Sequence, residues 1–262
     1  MTDDRKYHIG FGRSDLPEGT TIALLSGDPE RSHSIATDHL DDGRALSRNR
    51  GLDAFVATLP GGRPVVCATS GMGAPSASIV VNELVQTGIT TIIRIGTSGS
   101  IQEHVRVGDV VIGSACLTNQ GAALDIAPPS YPSAADPFLT VALAHAAEDR
   151  GIVHHVGVMA SADTFFEGQE RSASSANPHL LRRITGMVDE YQALGILNFE
   201  MEAGTLFTMG GVYGFAAGCV CGIIAQRTES EQVDLARKDQ AIANAIAVAI
   251  ATADTWVDSA PT

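Results

Sequence analysis

Six short apolar, β-branched runs divide the chain: residues 20–26 (TTIALLS), 63–70 (RPVVCATS), 90–97 (TTIIRIGT), 108–115 (GDVVIGSA), 154–161 (HHVGVMAS) and 218–226 (GCVCGIIAQ). Each has the length and composition of a strand buried on both faces. Between them the pattern changes to a helical period. Residues 74–88 space their apolar positions three and four apart and end at Gly88, a natural C-terminal stop. Residues 136–151 follow the same plan, with Asp136 placed to cap and Pro137 at the first helical position. Residues 234–256 are alanine-rich and amphipathic and read as a long closing helix. Strands alternating with helices predict an α/β fold with a mainly parallel sheet covered on both faces. In such a sheet the ligand site lies beyond the carboxyl ends of the strands.

Composition narrows the picture. At 262 residues and 44% hydrophobic, the chain can bury a sizeable core without disulfides, as one large domain or two smaller ones. No repeat, low-complexity tract or linker interrupts it. No window of about 18 apolar residues occurs, so no membrane span is expected. The first residues, MTDDRKYHIGFGRSDL, are polar and lack the apolar segment of a secretory signal. Cys67, Cys116, Cys219 and Cys221 lie in apolar surroundings without metal-type spacing and read as reduced thiols of a cytoplasmic protein. A formal charge of −13 argues against general nucleic-acid binding. Any anion site must be a local gathering of arginines.

The strand ends supply the candidates. After the first run comes GDPER: Gly27 permits a tight turn, Asp28 can cap and Pro29 suits a first helical residue. A helix start there offers free N–H groups to an anion, and Arg31 adds a forked donor; the alternative is an ordinary turn with a solvated arginine. The turn TSGMGAPS (69–76) has Gly71 and Gly73 but no third glycine and no following acid for a ribose, so it is not a dinucleotide fingerprint. In RIGTSGS (94–100) a permanent cation, Arg94, sits inside an apolar run and requires a negative partner. That partner is either Asp109 or another acid of this chain, or an anionic ligand served also by the Thr97 and Ser98 hydroxyls.

Two further segments stand out. In SADTFFEGQERSA (161–173), Phe165 and Phe166 offer a flat apolar wall, while Gln169 and Arg171 project together if the chain is extended. An amide and a guanidinium can read a ring edge bearing carbonyls and an N–H between them, as in uracil; otherwise the segment is a polar loop. In NFEMEAGTLFTMGG (198–211), Glu200, Met201 and Glu202 fall at a helix start. A carboxylate there can accept from vicinal hydroxyls beside a methionine, or be solvated at a helix N-terminus. Two acids without a nearby histidine make a poor metal site, and His154 and His155 alternate across a strand, so no metal is expected.

Taken together, the strings HIGFGRSDL, GDPER, RIGTSGSIQ, GDVVI, SADTFFEGQER, NFEMEAGTLFTM and RTESE, in this order and over almost the whole chain, resemble the uridine-cleaving members of the bacterial nucleoside phosphorylase family. TFFEGQER is the most specific of them. The resemblance implies a single-domain α/β/α sandwich over residues 1–262, with a mixed, largely parallel central sheet. It also implies reversible phosphorolysis of uridine, with 2′-deoxyuridine as a further substrate, to uracil and ribose 1-phosphate in pyrimidine salvage. By the same resemblance, Gly27, Arg31, Arg94 and Thr97 bind phosphate, and Arg50 reaches it from a neighbouring subunit. His8 crosses the dimer interface to the ribose, which Glu200, Met201 and Glu202 also hold. Phe165 stacks on the base, Gln169 and Arg171 read it, Ile223 and Ile224 line its pocket, and Arg227 lies near it. A homohexamer built from dimers is implied, with no cofactor beyond phosphate as co-substrate.

The chain also departs from the family pattern. Ser26 replaces a proline before the GDP glycine. Gly51 stands where bacterial members often carry a glutamate for a monovalent cation at the dimer interface. Val233 replaces a proline in the loop 228–239, which bears on lid behaviour. Gln226 stands near where purine-cleaving relatives carry an acid, which argues against purines. The alternatives are a phosphorylase of other base choice, thymidine or a purine nucleoside, a hydrolytic nucleosidase, and a nucleoside-binding relative without turnover.

Overall fold

All six apolar runs form strands of one continuous sheet in a computed structural model, which describes residues 4–230 and 232–257. In chain order the elements are β1 (Ile22–Ser26), α1 (Pro29–Asp38), β2 (Asp41–Ser47), β3 (Ala54–Thr58), β4 (Pro64–Thr69) and α2 (Ala74–Gln86). They continue with β5 (Thr91–Ser100), β6 (Val110–Asn119), α3 (Gly121–Ile126), α4 (Pro137–Asp149) and β7 (His154–Ala162). The last are α5 (Met187–Ala193), β8 (Asn198–Glu200), α6 (Ala203–Tyr213), β9 (Ala216–Gln226) and α7 (Leu235–Thr255). The expected caps form. Asp28 accepts from Glu30 N–H with Pro29 beginning α1, and Asp136 accepts from Leu139 N–H with Pro137 beginning α4. Asp234 caps α7, and Gly88 follows α2 at φ +93°.

The sheet runs β2-β3-β4-β1-β5-β8-β7-β6-β9, and β9 returns to pair with β5. Strands β5, β8, β7, β6 and β9 therefore close into a ring. The pairings β1–β4, β1–β5, β5–β9, β6–β7 and β7–β8 are parallel; β2–β3, β3–β4, β5–β8 and β6–β9 are antiparallel. The sheet is thus mixed. Its antiparallel pairings come from three strands absent from the apolar pattern, the exposed β2, the short β3 and the three-residue β8, and from the closure of β9 on β6.

Two apolar cores, one on each face, produce the three-layer sandwich. One joins Leu25, Val66 and Ile92 of the sheet to Val80, Val81 and Leu84 of α2 and Leu206 and Phe207 of α6. The other joins Leu24, Cys67 and Ile93 to Ile35 of α1, Leu139 and Leu143 of α4 and Ile246 and Ala249 of α7. Helix α6 is buried from Ala203 through Gly210. Its entry needs Gly204, because a Cβ there would lie 2.8 Å from Thr118 Cβ and 2.9 Å from Ser161 Cβ. That close approach seats the start of α6 against β6 and β7.

Phe207 is fully buried between α6 and the sheet. Phe207→Ala should cost about 3–5 kcal/mol through lost transfer energy and the cavity left behind. Urea denaturation measures it; a loss below about 1 kcal/mol would mean that α6 repacks freely.

Candidate active site

At the carboxyl ends of β1, β5 and β9 lies a cleft of about 460 Å³. The β1–α1 turn contributes Gly27 and Arg31, and β5 contributes Arg94 and Thr97. Phe165, Gln169 and Arg171 come from the loop after β7, and Glu200, Met201 and Glu202 from the β8–α6 junction. Ile224 closes the apolar side from β9. Segments separated by nearly two hundred residues thus meet as the strand-end rule requires.

The centre of the cleft is a buried charge cluster. Arg94, 5% exposed, donates from Nε to Glu200 Oε2 at 3.2 Å and forms an ion pair from Nη2 with Glu202 Oε2. The acids that meet it are therefore not Asp109, which bonds His155 Nε2 at 3.0 Å. Glu200 is saturated: its Oε2 also accepts from the N–H groups of Glu202 (2.8 Å) and Ala203 (2.7 Å), and its Oε1 accepts from the Ser161 hydroxyl. Glu200 lines the cleft, braces Arg94 and holds the first N–H groups of α6. Glu202 accepts from Gly73 N–H at 2.5 Å.

Arg94 is still not fully satisfied. Its Nη1 is buried without a hydrogen-bond partner. A buried guanidinium nitrogen with no acceptor is costly, and a cleft-lining arginine with one is suited to an anion. Burial works against the Arg94 charge, but Glu202 and Glu200 more than offset it and hold the group above its ordinary value. Burial pushes the Glu202 carboxyl up, with the Arg94 charge pulling it back. Arg31 is lowered, chiefly by burial; Asp28 opposes the shift and Arg94, a like charge, adds to it. Its Nη1 donates to the Ile95 carbonyl at 3.2 Å, which fixes the side chain along β5.

Gln169 and Arg171 are brought together by a different backbone from the extended one expected. Gln169 ends a 3-10 turn (Glu167–Gln169), and Glu170 takes a left-handed conformation at φ +52°. That reversal puts both side chains on one side, with Arg171 Nε donating to Gln169 Oε1 at 3.2 Å. Both are about 96% buried or more. The Arg171 guanidinium lies 4.2 Å from the centroid of the Phe165 ring. Glu170 is held by its carboxylate, which accepts from Gly186 N–H (2.5 Å) and Val188 N–H (2.8 Å).

Four expected site residues lie elsewhere. Ile223 does not line the cleft: it is fully buried in the core shared with α2 and α6. The β5–β9 register shifts between Ser98, opposite Ile223, and Gly99, opposite Ala225, so Ile224 is a bulged residue, and the bulge turns it rather than Ile223 to the cleft. Arg227 does not line the cleft either, because its guanidinium is committed to the carbonyls of Gln169 and Glu170. His8 lines a separate groove, where its Nδ1 pairs with Glu83 Oε1 at 2.6 Å. Arg50 packs over the exposed Tyr7 ring, and Asn49 donates to the Tyr7 and His8 carbonyls, so His8 and Arg50 share one face of the molecule. Lys238, one turn into α7, lines the cleft without having been singled out, as does Met72 of the 69–76 turn. Of the loop 228–239, Glu231 lies outside the described residues. Among the described residues no cluster of three or more His, Cys, Asp or Glu could hold a metal ion, and no helix is long and apolar enough to cross a membrane.

Comparison with known proteins bears on this geometry. Residues 21–256 match the family model described as the phosphorylase superfamily. The chain is 41% identical over 253 residues to the uridine phosphorylase of Salmonella typhimurium and 40% identical over 253 residues to that of Escherichia coli. Both alignments cover 97% of this chain and 98% of the relative. With the uridine phosphorylase of Haemophilus influenzae the identity is 39%, covering 94% of this chain and 96% of the relative.

Removing Arg94 would leave Glu200 and Glu202 buried side by side without a cation. Arg94→Ala should therefore destabilise the fold by about 3–5 kcal/mol at neutral pH. Burial already pushes the Glu202 carboxyl up, and without the Arg94 charge that pulls it back it would titrate higher still in the folded state than in the unfolded chain. Part of the loss should then return as pH falls towards 5, since protonation favours the state that binds protons more tightly. Denaturation of the variant across pH tests this; a loss independent of pH would mean that the Arg94 charge does not stabilise the ionised Glu202.

Proposed function

Because the chain belongs to the phosphorylase superfamily, we propose that its cleft performs the reversible phosphorolysis of uridine, giving uracil and ribose 1-phosphate. The observation that carries this reading is the unpartnered Nη1 of buried Arg94 in a cleft that also holds a glutamine–arginine reader. An oxyanion satisfies the first and a uracil edge the second.

Phosphate sits against Arg31, Arg94 Nη1, the Thr97 hydroxyl and the glycine turn at Gly27. Arginine forks and hydroxyls together match its geometry. Glu202, held by Gly73 and Arg94, accepts from the ribose hydroxyls, and Met201 packs beside the sugar. Phe165 and Ile224 flank the base, whose carbonyl and N–H edge meets Gln169 and Arg171. The glycosidic bond lengthens as the sugar gains cationic character, and the phosphate below it stabilises that charge. The departing uracil gains negative charge, which Arg171 meets. Every group is placed before reaction, so positioning and preorganised electrostatics carry the rate.

His8 and Arg50 serve the site of a neighbouring copy of the chain. What supports this is their shared face, away from their own cleft. On this reading two chains exchange these side chains within a dimer, and such dimers assemble into a hexamer.

Uracil release from uridine, followed by absorbance, should require phosphate; release without it would replace phosphorolysis by hydrolysis, and none in either case would leave a binding protein. Arg31→Ala should raise KM for phosphate about tenfold or more while KM for uridine stays within about twofold, as expected for a lost charge-assisted bond. Arg50→Ala and Arg94→Ala subunits, each inactive alone, should regain activity when mixed and reassembled. Failure to recover activity in verified mixed oligomers would confine each site to one chain.

A further inference from the structure

Arg227 is built into the back of the base reader. Its Nη1 donates to the Gln169 carbonyl at 2.5 Å and its Nη2 to the Glu170 carbonyl at 3.3 Å. The guanidinium carbon lies 5.6 Å from the centroid of the Phe199 ring, a cleft wall. Its backbone N–H donates to the Ser100 carbonyl at 2.8 Å, anchoring it to the end of β5. The stem crosses Gly99, where a Cβ would stand 3.1 Å from Arg227 Cγ, 3.2 Å from its Cδ and 3.4 Å from Arg171 Nη2. Gly99 thus leaves the passage through which both arginines run.

We propose that Arg227 is a positioning residue for base selection: it does not touch the base but straps the 165–171 loop to the β5–β9 strand ends, setting where Gln169 and Arg171 point. This rests on the uridine reading of the site. The reader needs such a strap because its backbone is irregular. One 3-10 turn ends at Gln169, so that residue's carbonyl has no helical partner, and Glu170 follows in the left-handed region, which is unfavourable for a residue with a Cβ. The Glu170 carboxylate secures the loop from the α5 side, and Arg227 secures its carbonyls from the sheet side. Two donors in a fixed fork fix an orientation as well as a position, which a single ammonium cannot do. A reader displaced by about 1 Å loses much of its effect on rate and selection.

The test is steady-state kinetics of Arg227→Met, which keeps an apolar stem over Gly99, and of Arg227→Lys, with uridine, cytidine and inosine. Arg227→Met should raise KM for uridine about tenfold or more, the loss expected for a charged donor pair, while KM for phosphate stays within about twofold. Its preference for uridine over the other two nucleosides should shrink, and Arg227→Lys should recover part of it. Gly99→Ala, which crowds the same stem without removing it, should shift the same constants in the same direction. If Arg227→Met leaves uridine KM and base preference unchanged, the strap is overturned. If it lowers kcat for all substrates in proportion to a loss of folded protein, with both KM values intact, Arg227 is merely structural and the proposal also fails. Wild-type protein that does not act on uridine would instead overturn the reading beneath it.

Discussion

The structure turns on one buried cation held between two buried carboxylates. Arg94 cannot lie inside β5 without them, and neither Glu200 nor Glu202 could be buried without Arg94. The cluster also joins elements that the chain does not place side by side. Through Glu200 it fixes the start of α6 and reaches Ser161 of β7; through Glu202 it reaches Gly73 at the start of α2. Four segments share one charge network, and one nitrogen of the cleft-lining Arg94 is left without a partner. The same bonds that hold the fold together orient the Arg94 side chain in the cleft.

Ring closure of the sheet is what makes this cluster possible. An open parallel sheet would leave β8 and α6 far from β5. Here β8 pairs with both β5 and β7 while β9 pairs with both β5 and β6, so Glu200 is delivered beside Arg94. Gly204 lets α6 enter against Thr118 and Ser161 at a distance that no side chain would allow. A helix buried from Ala203 through Gly210, with a charged threshold, is the result.

The two ends of the cleft are built differently. The end with Gly27, Arg31, Arg94 and Thr97 rests on strand termini and the capped start of α1. The end with Gln169 and Arg171 is a loop with a left-handed residue, held from outside by the Glu170 carboxylate on one side and the Arg227 guanidinium on the other. A loop with external supports is where side chains can change without disturbing the sheet.

The amino-acid sequence by itself determined the three-layer class, the apolar strands and long helices, the caps at Asp28 and Asp136, and the segments that meet at the strand ends. Periodicity and capping are local, and local chemistry is readable along a chain. It did not determine β2 or β8, the first polar and exposed and the second too short to show a period. Nor did it determine which isoleucine faces the cleft, because a single bulge reverses the alternation at Ile224. Gln169 and Arg171 stood out as a pair, but only the left-handed Glu170 decides how they converge. Most of all, an arginine in an apolar run announces that it needs an anion without saying which. Tertiary structure divides Arg94 among Glu200, Glu202 and one remaining nitrogen, since the partners of a buried charge come from whichever segments the fold brings within a few ångströms.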